Sequence, residues 1–192
     1  MLQRKVILIP VLSLLAATAA GAGEYDAKMQ SFLDQSIRPW ASDPIILSAV
    51  VEQNQTTGAY DQGKIDALDA EWRTEAGKTD SALINAVVTG PVADFLRTQI
   101  DAMGGQITEI IVMDSHGLNV AASATTSDYW QGDEEKYSHT YAVGPDGVHF
   151  GEIEFDDSSQ TYQAQISFTL VDPATGAPVG AMTVAVDGEA LL

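Results

Sequence analysis

The hydrophobic pattern of this chain changes its period once, at Gly104-Gly105. Before these glycines, apolar side chains recur every three or four residues, which is the spacing of amphipathic helices. After them, short β-rich runs are separated by turn residues such as Gly144-Pro145-Asp146-Gly147, which is the pattern of strands joined by hairpins. Helices followed by consecutive strands favour an α+β domain with an antiparallel sheet.

The helical half is predicted to begin with one long helix or two stacked helices between Glu24 and about Asn54. Arg38-Pro39 is expected to kink or interrupt this segment, because proline lacks a backbone donor. Asp43-Pro44 predicts a cap and a first-turn proline where the helix resumes. Further helices are predicted from Asp61, as a cap, to near Gly77, from Ser81 to Val88, and from Pro91 to Met103.

The second half is predicted to fold into strands, with Asp114-Ser115-His116-Gly117 as the turn of the first hairpin. Strands are predicted at Ile107 to Met113, Leu118 to Ser123, Tyr137 to Val143, Val148 to Phe155, Tyr162 to Val171, and Val179 to Val186.

The first 22 residues have the pattern of a secretory signal peptide. Arg4-Lys5 precedes an apolar run from Val6 to Ala17, and Ala17-Thr18-Ala19 and Ala20-Gly21-Ala22 both fit a small-residue cleavage site. The run is shorter than the ~20 residues of a membrane span, which favours cleavage over the alternative of a signal anchor. We therefore expect a periplasmic or secreted chain without membrane insertion, in which residues 23–105 are the helical part and 106–192 the sheet part of one domain.

The chain is strongly acidic, with 27 acidic and 9 basic residues and a formal net charge of -18. Loss of residues 1–22 would remove two basic residues and bring the net charge to -20. Binding to nucleic acid or to an anionic membrane surface requires a basic footprint and is excluded on this ground. The sequence contains no cysteine, which excludes disulfides, thiolate catalysis and cysteine-ligated metals.

Three stretches of the second half carry a likeness to a known family. Ile107 to Ser123 is a hydrophobic hairpin with an Asp-x-x-Gly turn, Thr126 to Glu134 contains Asp-Tyr-Trp, and Val171 to Asp187 is a final hairpin with a closing strand. Together they resemble the extracytoplasmic Cache sensor domains, here in a stand-alone secreted form. The resemblance implies a long N-terminal helix and further helices packed against a PAS-like antiparallel sheet of about five strands.

The resemblance also implies a function. Cache domains bind small molecules and usually lie between two transmembrane helices of a chemoreceptor, kinase or cyclase, and this sequence shows neither a second span nor an output domain. We therefore expect a sensory domain that binds a small ligand and signals through a membrane receptor or kinase partner, and that can form a homodimer through its N-terminal helix. The alternative is an acidic periplasmic interaction module without a functional small-molecule pocket.

Candidate ligand contacts cluster in the segment that the resemblance places over the pocket. They combine carboxylates, an amide and aromatic rings, which suits a ligand with a cationic head. Ten acidic residues against a single lysine, Lys136, between Asp114 and Asp157 favour a cationic, zwitterionic or neutral ligand. Asp156, after the alternating strand Glu152-Ile153-Glu154-Phe155, is a further candidate partner for an ammonium group. The other predicted ligand contacts are Asp128, Tyr129, Trp130, Gln131, Asp133 and Tyr137.

Simpler roles remain open for these residues, since Tyr129 and Trp130 can pin the loop to the sheet while the acids face water. No EF-hand spacing, G-x-S-x-G elbow or dinucleotide glycine fingerprint is present. The histidines His116, His139 and His149 are far apart in sequence and lack the HExxH pattern. The sequence therefore predicts no catalytic residues, no cofactor and no metal ligands.

Overall fold

A computed structural model of the chain describes residues 18–78, 80–156 and 161–191. Most of the predicted signal peptide, residues 1–17, lies outside this part of the chain. The described helices include none that is long and apolar enough to cross a membrane.

Seven α-helices are found in the described ranges, six of them before the sheet. They are α1 (Thr18–Phe32), α2 (Arg38–Ala41), α3 (Pro44–Thr57), α4 (Gln62–Glu75), α5 (Ala82–Val88), α6 (Pro91–Ala102) and α7 (Glu135–Ser138). A π-helical turn, Leu33–Ile37, connects α1 to α2.

The expected interruption at Arg38-Pro39 is confirmed, because the π-helical turn ends immediately before Arg38. The predicted caps are also present. The Asp43 carboxylate accepts a hydrogen bond from the backbone N–H of Ile45 at 2.9 Å, and Asp61 accepts one from Lys64 at 2.9 Å. Each cap satisfies a backbone donor that the first turn of a helix leaves without an intrahelical partner.

In the part of the chain that the structure describes, six antiparallel strands form one sheet in the order β2-β1-β6-β5-β3, with β4 also paired to β5. The α+β fold class with an antiparallel sheet is thus confirmed. The strands are β1 (Ile107–Met113), β2 (Asn119–Ala122), β3 (Val148–Phe150), β4 (Glu154–Asp156), β5 (Thr161–Val171) and β6 (Pro178–Asp187).

The predicted strand from Tyr137 to Val143 is wrong. The short helix α7 and a series of turns occupy this segment. The rings of Tyr137 and Tyr141, four residues apart, stack with centroids 5.5 Å apart, and the Thr140 hydroxyl donates to the carbonyl of Lys136 at 2.6 Å. Both contacts use the spacing of a helical turn rather than that of a strand.

The predicted strand from Val148 to Phe155 is divided into β3 and β4. Phe150 of β3 pairs with Ile166, and Glu154 of β4 pairs with Gln163. Three residues separate Phe150 from Glu154, whereas only two separate Gln163 from Ile166 on β5. An extra residue of this kind disrupts the ladder locally and bends the strand.

The two faces of the sheet differ in chemistry. On one face, apolar side chains of β1, β5 and β6 pack against α1, α3 and α6 and form the main core. The opposite face carries polar side chains, among them Glu109, Gln163 and Gln165. A smaller second core packs α4 and α5 against β2, around Trp72 and Leu118.

Asp114 connects the first hairpin to the helical layer. Its carboxylate is fully buried and accepts hydrogen bonds from the backbone N–H groups of His116 at 2.8 Å and Leu118 at 3.0 Å. Its other oxygen accepts from the Thr57 hydroxyl at 2.7 Å and from the Gln53 amide at 3.1 Å, both on α3.

We expect Asp114→Ala to lower the free energy of unfolding by about 2–4 kcal/mol, because it leaves several buried donors without an acceptor. Urea denaturation of the purified chain measures this loss. Asp172→Ala is the matched control, because Asp172 accepts from Ala174 and Thr175 in an exposed hairpin turn, where water can replace it. Equal losses for the two variants would contradict the role of Asp114 as a buried connection.

Candidate ligand-binding site

A cleft of about 1000 Å³ opens on the polar face of the sheet. Its floor contains Glu109 of β1, Gln163 and Gln165 of β5, and Ala185 of β6. One wall is formed by Ser127 together with the segment 133–136, and the other by the region around β3 and β4. The wall residues are Ser127, Asp133, Glu134, Glu135, Lys136, His149, Gly151, Glu152, Glu154 and Phe155.

The alternation of side chains along the strands builds this floor. In β5, Ala164, Ile166 and Phe168 point into the main core, so the residues between them point to the opposite face. Gln165 is paired with Ala185 in the register of β5 and β6, and Glu109 is paired with Ala185 in that of β1 and β6. The small Ala185 thus separates two polar side chains across the middle of the sheet.

The cleft is strongly acidic. Among the described residues, six carboxylates and one lysine line it, which gives these side chains a formal charge of -5 when His149 is neutral. Burial, and then the neighbouring His139, lowers the pKa of His149 below its ordinary value. Lys136 is already paired, because its Nζ lies 3.0 Å from the Glu134 carboxylate and 3.0 Å from the Gln131 amide oxygen. The arrangement favours a positively charged group in the cleft.

The sequence-predicted contacts are not all brought to this cleft. Asp133 lines it, and Tyr129 lines a second, smaller cavity. Asp128, Trp130, Gln131 and Tyr137 are absent from the lining of both cavities. The side chain of Asp156 lies outside the described residues.

Tyr129 is pinned to the helical layer. Its ring stacks on Trp72 with centroids 5.5 Å apart, and burial raises the pKa of its hydroxyl. The carboxylate of Asp69 accepts hydrogen bonds from the backbone N–H groups of Tyr129 at 2.9 Å and Trp130 at 3.1 Å. These contacts fit the simpler reading, in which the aromatic residues hold the loop in place.

The side chains that follow fasten the same loop to the first hairpin. The Trp130 indole donates to the carbonyl of His116 at 2.8 Å, and the Tyr137 hydroxyl donates to that of Ser115 at 2.7 Å. The Gln131 side chain is buried and donates to the carbonyl of Asp128 at 3.2 Å. The loop from Ser127 to Tyr137 therefore forms a wall of the cleft while most of its larger side chains point away from it.

Gly117 and Gly132 allow the loop and the turn of the first hairpin to approach each other closely. A side chain added at Gly117, where φ is +79°, would lie 2.7 Å from the backbone of Gly132. Glycine is therefore required at Gly117 for conformation as well as for space.

Sequence reasoning missed the floor of the cleft. The available signal was the row of polar residues at alternate positions of an otherwise apolar strand, Gln163, Gln165, Ser167 and Thr169. Period-two alternation identifies such a face.

A second cavity of about 440 Å³ lies between α3, α5 and β2. Its lining includes Ala49, Leu68, Leu83, Val87 and Tyr129, and its one carboxylate is that of Glu52. It lacks the charge of the cleft on the sheet.

One group of metal-ligating side chains converges within the described ranges. Glu135, His139 and His149 each place one ligand atom within 4.8 Å of the others. The fold thus brings together two histidines that the sequence analysis treated as separate. His116 stays apart, in the turn of the first hairpin.

No protein-family model matches this chain, and no curated protein matches it. Similar solved structures include the sensor domain of the histidine kinase DctB of V. cholerae, with 15% identity and a TM-score of 0.38 over 88% of this chain and 59% of that chain. The ligand-binding domain of the Campylobacter jejuni chemoreceptor Tlp3, in complex with 4-methylisoleucine, has 11% identity and a TM-score of 0.39 over 88% and 62%. That of the Pseudomonas aeruginosa amino acid chemoreceptor PctC, in complex with GABA, has 14% identity and a TM-score of 0.40 over 76% and 58%.

The chain therefore spans less than two thirds of the length of these three structures. All three are sensor or ligand-binding domains. Because the TM-scores are below 0.5, the likenesses carry no argument about ligand or partner.

We expect Trp130→Ala to lower the free energy of unfolding by about 2–3 kcal/mol, because the ring packs on the second core and its N–H is hydrogen-bonded. The loss should be somewhat smaller than that for a fully buried tryptophan, since Trp130 is only partly buried. Trp130→Phe keeps most of the packing and should cost less. Urea denaturation of both variants measures the difference. An unchanged stability of Trp130→Ala would contradict the structural role and return Trp130 to the candidate ligand contacts.

Proposed function

We propose that this chain is an extracytoplasmic sensory domain that binds a small cationic or zwitterionic ligand in the acidic cleft and signals through a membrane partner. The observation that carries the proposal is the cleft itself, whose described lining contains six carboxylates, one of them on the polar floor, and one lysine that is already paired. The resemblance of the sequence to Cache sensor domains supports the sensory role.

The charge of the cleft favours an amine over a carboxylate as the recognised group. At about 4 Å, an ammonium and a carboxylate attract by about 1 kcal/mol in bulk water and about 4 kcal/mol near a protein surface. Gln163 and Gln165 on the floor offer amide donors and acceptors, which can bind the polar remainder of a zwitterion. An organic dianion would meet carboxylates on both walls.

Of the ligand contacts predicted from the sequence, we retain Asp133 for this cleft. We propose five further contacts there: Glu109, Gln163, Gln165, Glu152 and Glu154. For Asp128, Tyr129, Trp130, Gln131 and Tyr137 we propose an indirect role, in which they hold the wall that contacts the ligand. Asp156 remains a candidate contact on the basis of its position as the last residue of β4.

A chain of contacts connects the wall to the helical layer. Trp130 and Tyr137 bond to the turn of the first hairpin, and Ser115 of that turn donates to the Asn54 side chain on α3 at 2.9 Å. Movement of the wall on ligand binding would therefore be passed to α3. A ligand shifts such an equilibrium only through a different affinity for the two states.

The proposed location and partner follow from the sequence. The signal-peptide pattern of residues 1–22 supports export to the periplasm or the cell exterior, where a small ligand would be met. The proposed output is a membrane receptor or kinase, and pairing of two copies through the N-terminal helix is the proposed dimer.

We expect amines and amino acids, but not dicarboxylates, to raise the thermal midpoint of the purified chain, because binding to the folded state stabilises it. Ligand at 100 times its Kd adds about 2.7 kcal/mol. A thermal-shift panel of monoamines, diamines, neutral amino acids and dicarboxylates measures the effect. The shift should shrink at high salt, which screens the attraction.

Glu109→Gln should remove most of the ligand-induced shift, because it neutralises a carboxylate on the floor while keeping the shape of the side chain. Glu71→Gln, on the exposed face of α4, is the matched control and should keep the shift. If no compound of the panel raises the thermal midpoint, the proposal is overturned and the acidic interaction module is favoured. A shift confined to dicarboxylates would contradict the proposed ligand charge.

A further inference from the structure

Glu135, His139 and His149 meet at one corner of the acidic cleft. Glu135 is the first residue of α7, His139 follows one turn later, and His149 is the middle residue of β3. The Nδ1 atoms of the two histidines are 3.3 Å apart, and a carboxylate oxygen of Glu135 lies 3.5 Å from Nε2 of His149.

The fold holds the helix and the strand together at this corner. The residue before β3 lies close to the turn that follows α7, since a side chain added at Gly147 would clash with the carbonyl oxygen of Thr140. The Thr140 hydroxyl is tied to the carbonyl of Lys136, and the backbone N–H of Thr169 on β5 donates to the carbonyl of Gly147 at 3.0 Å. The segments that carry the two histidines are therefore held in place by hydrogen bonds to their backbone.

The separation of the two ring nitrogens matches metal coordination. Two nitrogens bound about 2.0–2.1 Å from a tetrahedral zinc ion lie about 3.3–3.4 Å apart. Without an ion, the same pair can form only one long hydrogen bond, from one ring to the other. Two imidazoles with a carboxylate suit zinc and its neighbours among the divalent transition metals, whereas calcium and magnesium prefer oxygen ligands alone.

We propose that Glu135, His139 and His149 form a binding site for a divalent transition-metal ion, with Zn²⁺ as its preferred occupant. The Glu135 side chain is exposed, and its rotatable bonds let a carboxylate oxygen join the two Nδ1 atoms. The three ligands leave one position of a tetrahedral set open. Because Glu135 and His149 also line the cleft, that position would face the cleft.

The surroundings suit a cation as well. Glu134 and Glu152 line the same cleft and add to the negative field at the site.

The test is a Zn²⁺ titration of the purified chain, without a histidine tag, against a chromophoric chelator. One equivalent of Zn²⁺ should bind, and His139→Ala and His149→Ala should each weaken the affinity at least about tenfold. Glu135→Gln should weaken it too. His116→Ala, which removes the histidine outside the cluster, is the matched control and should leave the affinity unchanged. Co²⁺ bound in place of Zn²⁺ should give the intense visible absorption of tetrahedral coordination, and His139→Ala should lose it.

Failure to bind Zn²⁺, or binding that survives both histidine substitutions, would overturn the proposal. Thermal melting without metal checks that His139→Ala stays folded, and His139→Gln is a second variant that keeps a polar side chain. Glu135 and His149 belong to both the metal site and the cleft lining, but His139 belongs to the metal site alone, so the two proposals can be tested separately. His139→Ala should lose Zn²⁺ and keep the amine-induced shift, whereas Glu109→Gln should lose that shift and keep Zn²⁺.

Discussion

The pairing of β5 with β6 at the centre of the sheet separates apolar from polar side chains. Successive residues of a strand point to opposite faces, and the long antiparallel register keeps this alternation in step from Gln163 to Leu170. The apolar face has to be covered, and α1, α3 and α6 cover it. The polar face cannot be covered by the same helices, so it remains available to the loop from Ser127 to Tyr137 and to solvent. The cleft follows from this division.

The buried carboxylate of Asp114 decides how the loop and the helices are placed around the sheet. It closes the first hairpin through backbone N–H groups and ties that turn to α3 through Thr57 and Gln53. The loop that forms the cleft wall is bonded to the same turn through Trp130 and Tyr137. A single buried acceptor therefore connects the core, the hairpin and the wall, since an unpaired charge there would be costly.

The chemistry of the cleft differs between its two ends. The floor offers amides and a carboxylate on regular strands, which are rigid positions for recognising a small polar molecule. The corner at Glu135, His139 and His149 offers nitrogen ligands at a metal-like spacing. These two parts can act separately because one depends on the alternation within strands and the other on the approach of His139, in the turn after α7, to His149 of β3. The strong negative charge of the chain favours a cation at both parts.

The sequence by itself determined the division into helices and strands, the helix caps and the acidic character of the segment from Asp114 to Asp157. These properties depend on local backbone preference, on periodicity and on charge, which can all be recognised within a few consecutive residues. It also indicated the wall loop, but not which side chains of that loop point inward. The tertiary structure decided that Tyr129, Trp130 and Gln131 are packed or bonded within the protein, and that Glu109, Gln163 and Gln165 form the floor. It alone brought His139 beside His149, because contacts between distant segments depend on strand register and loop closure, and no local pattern encodes them.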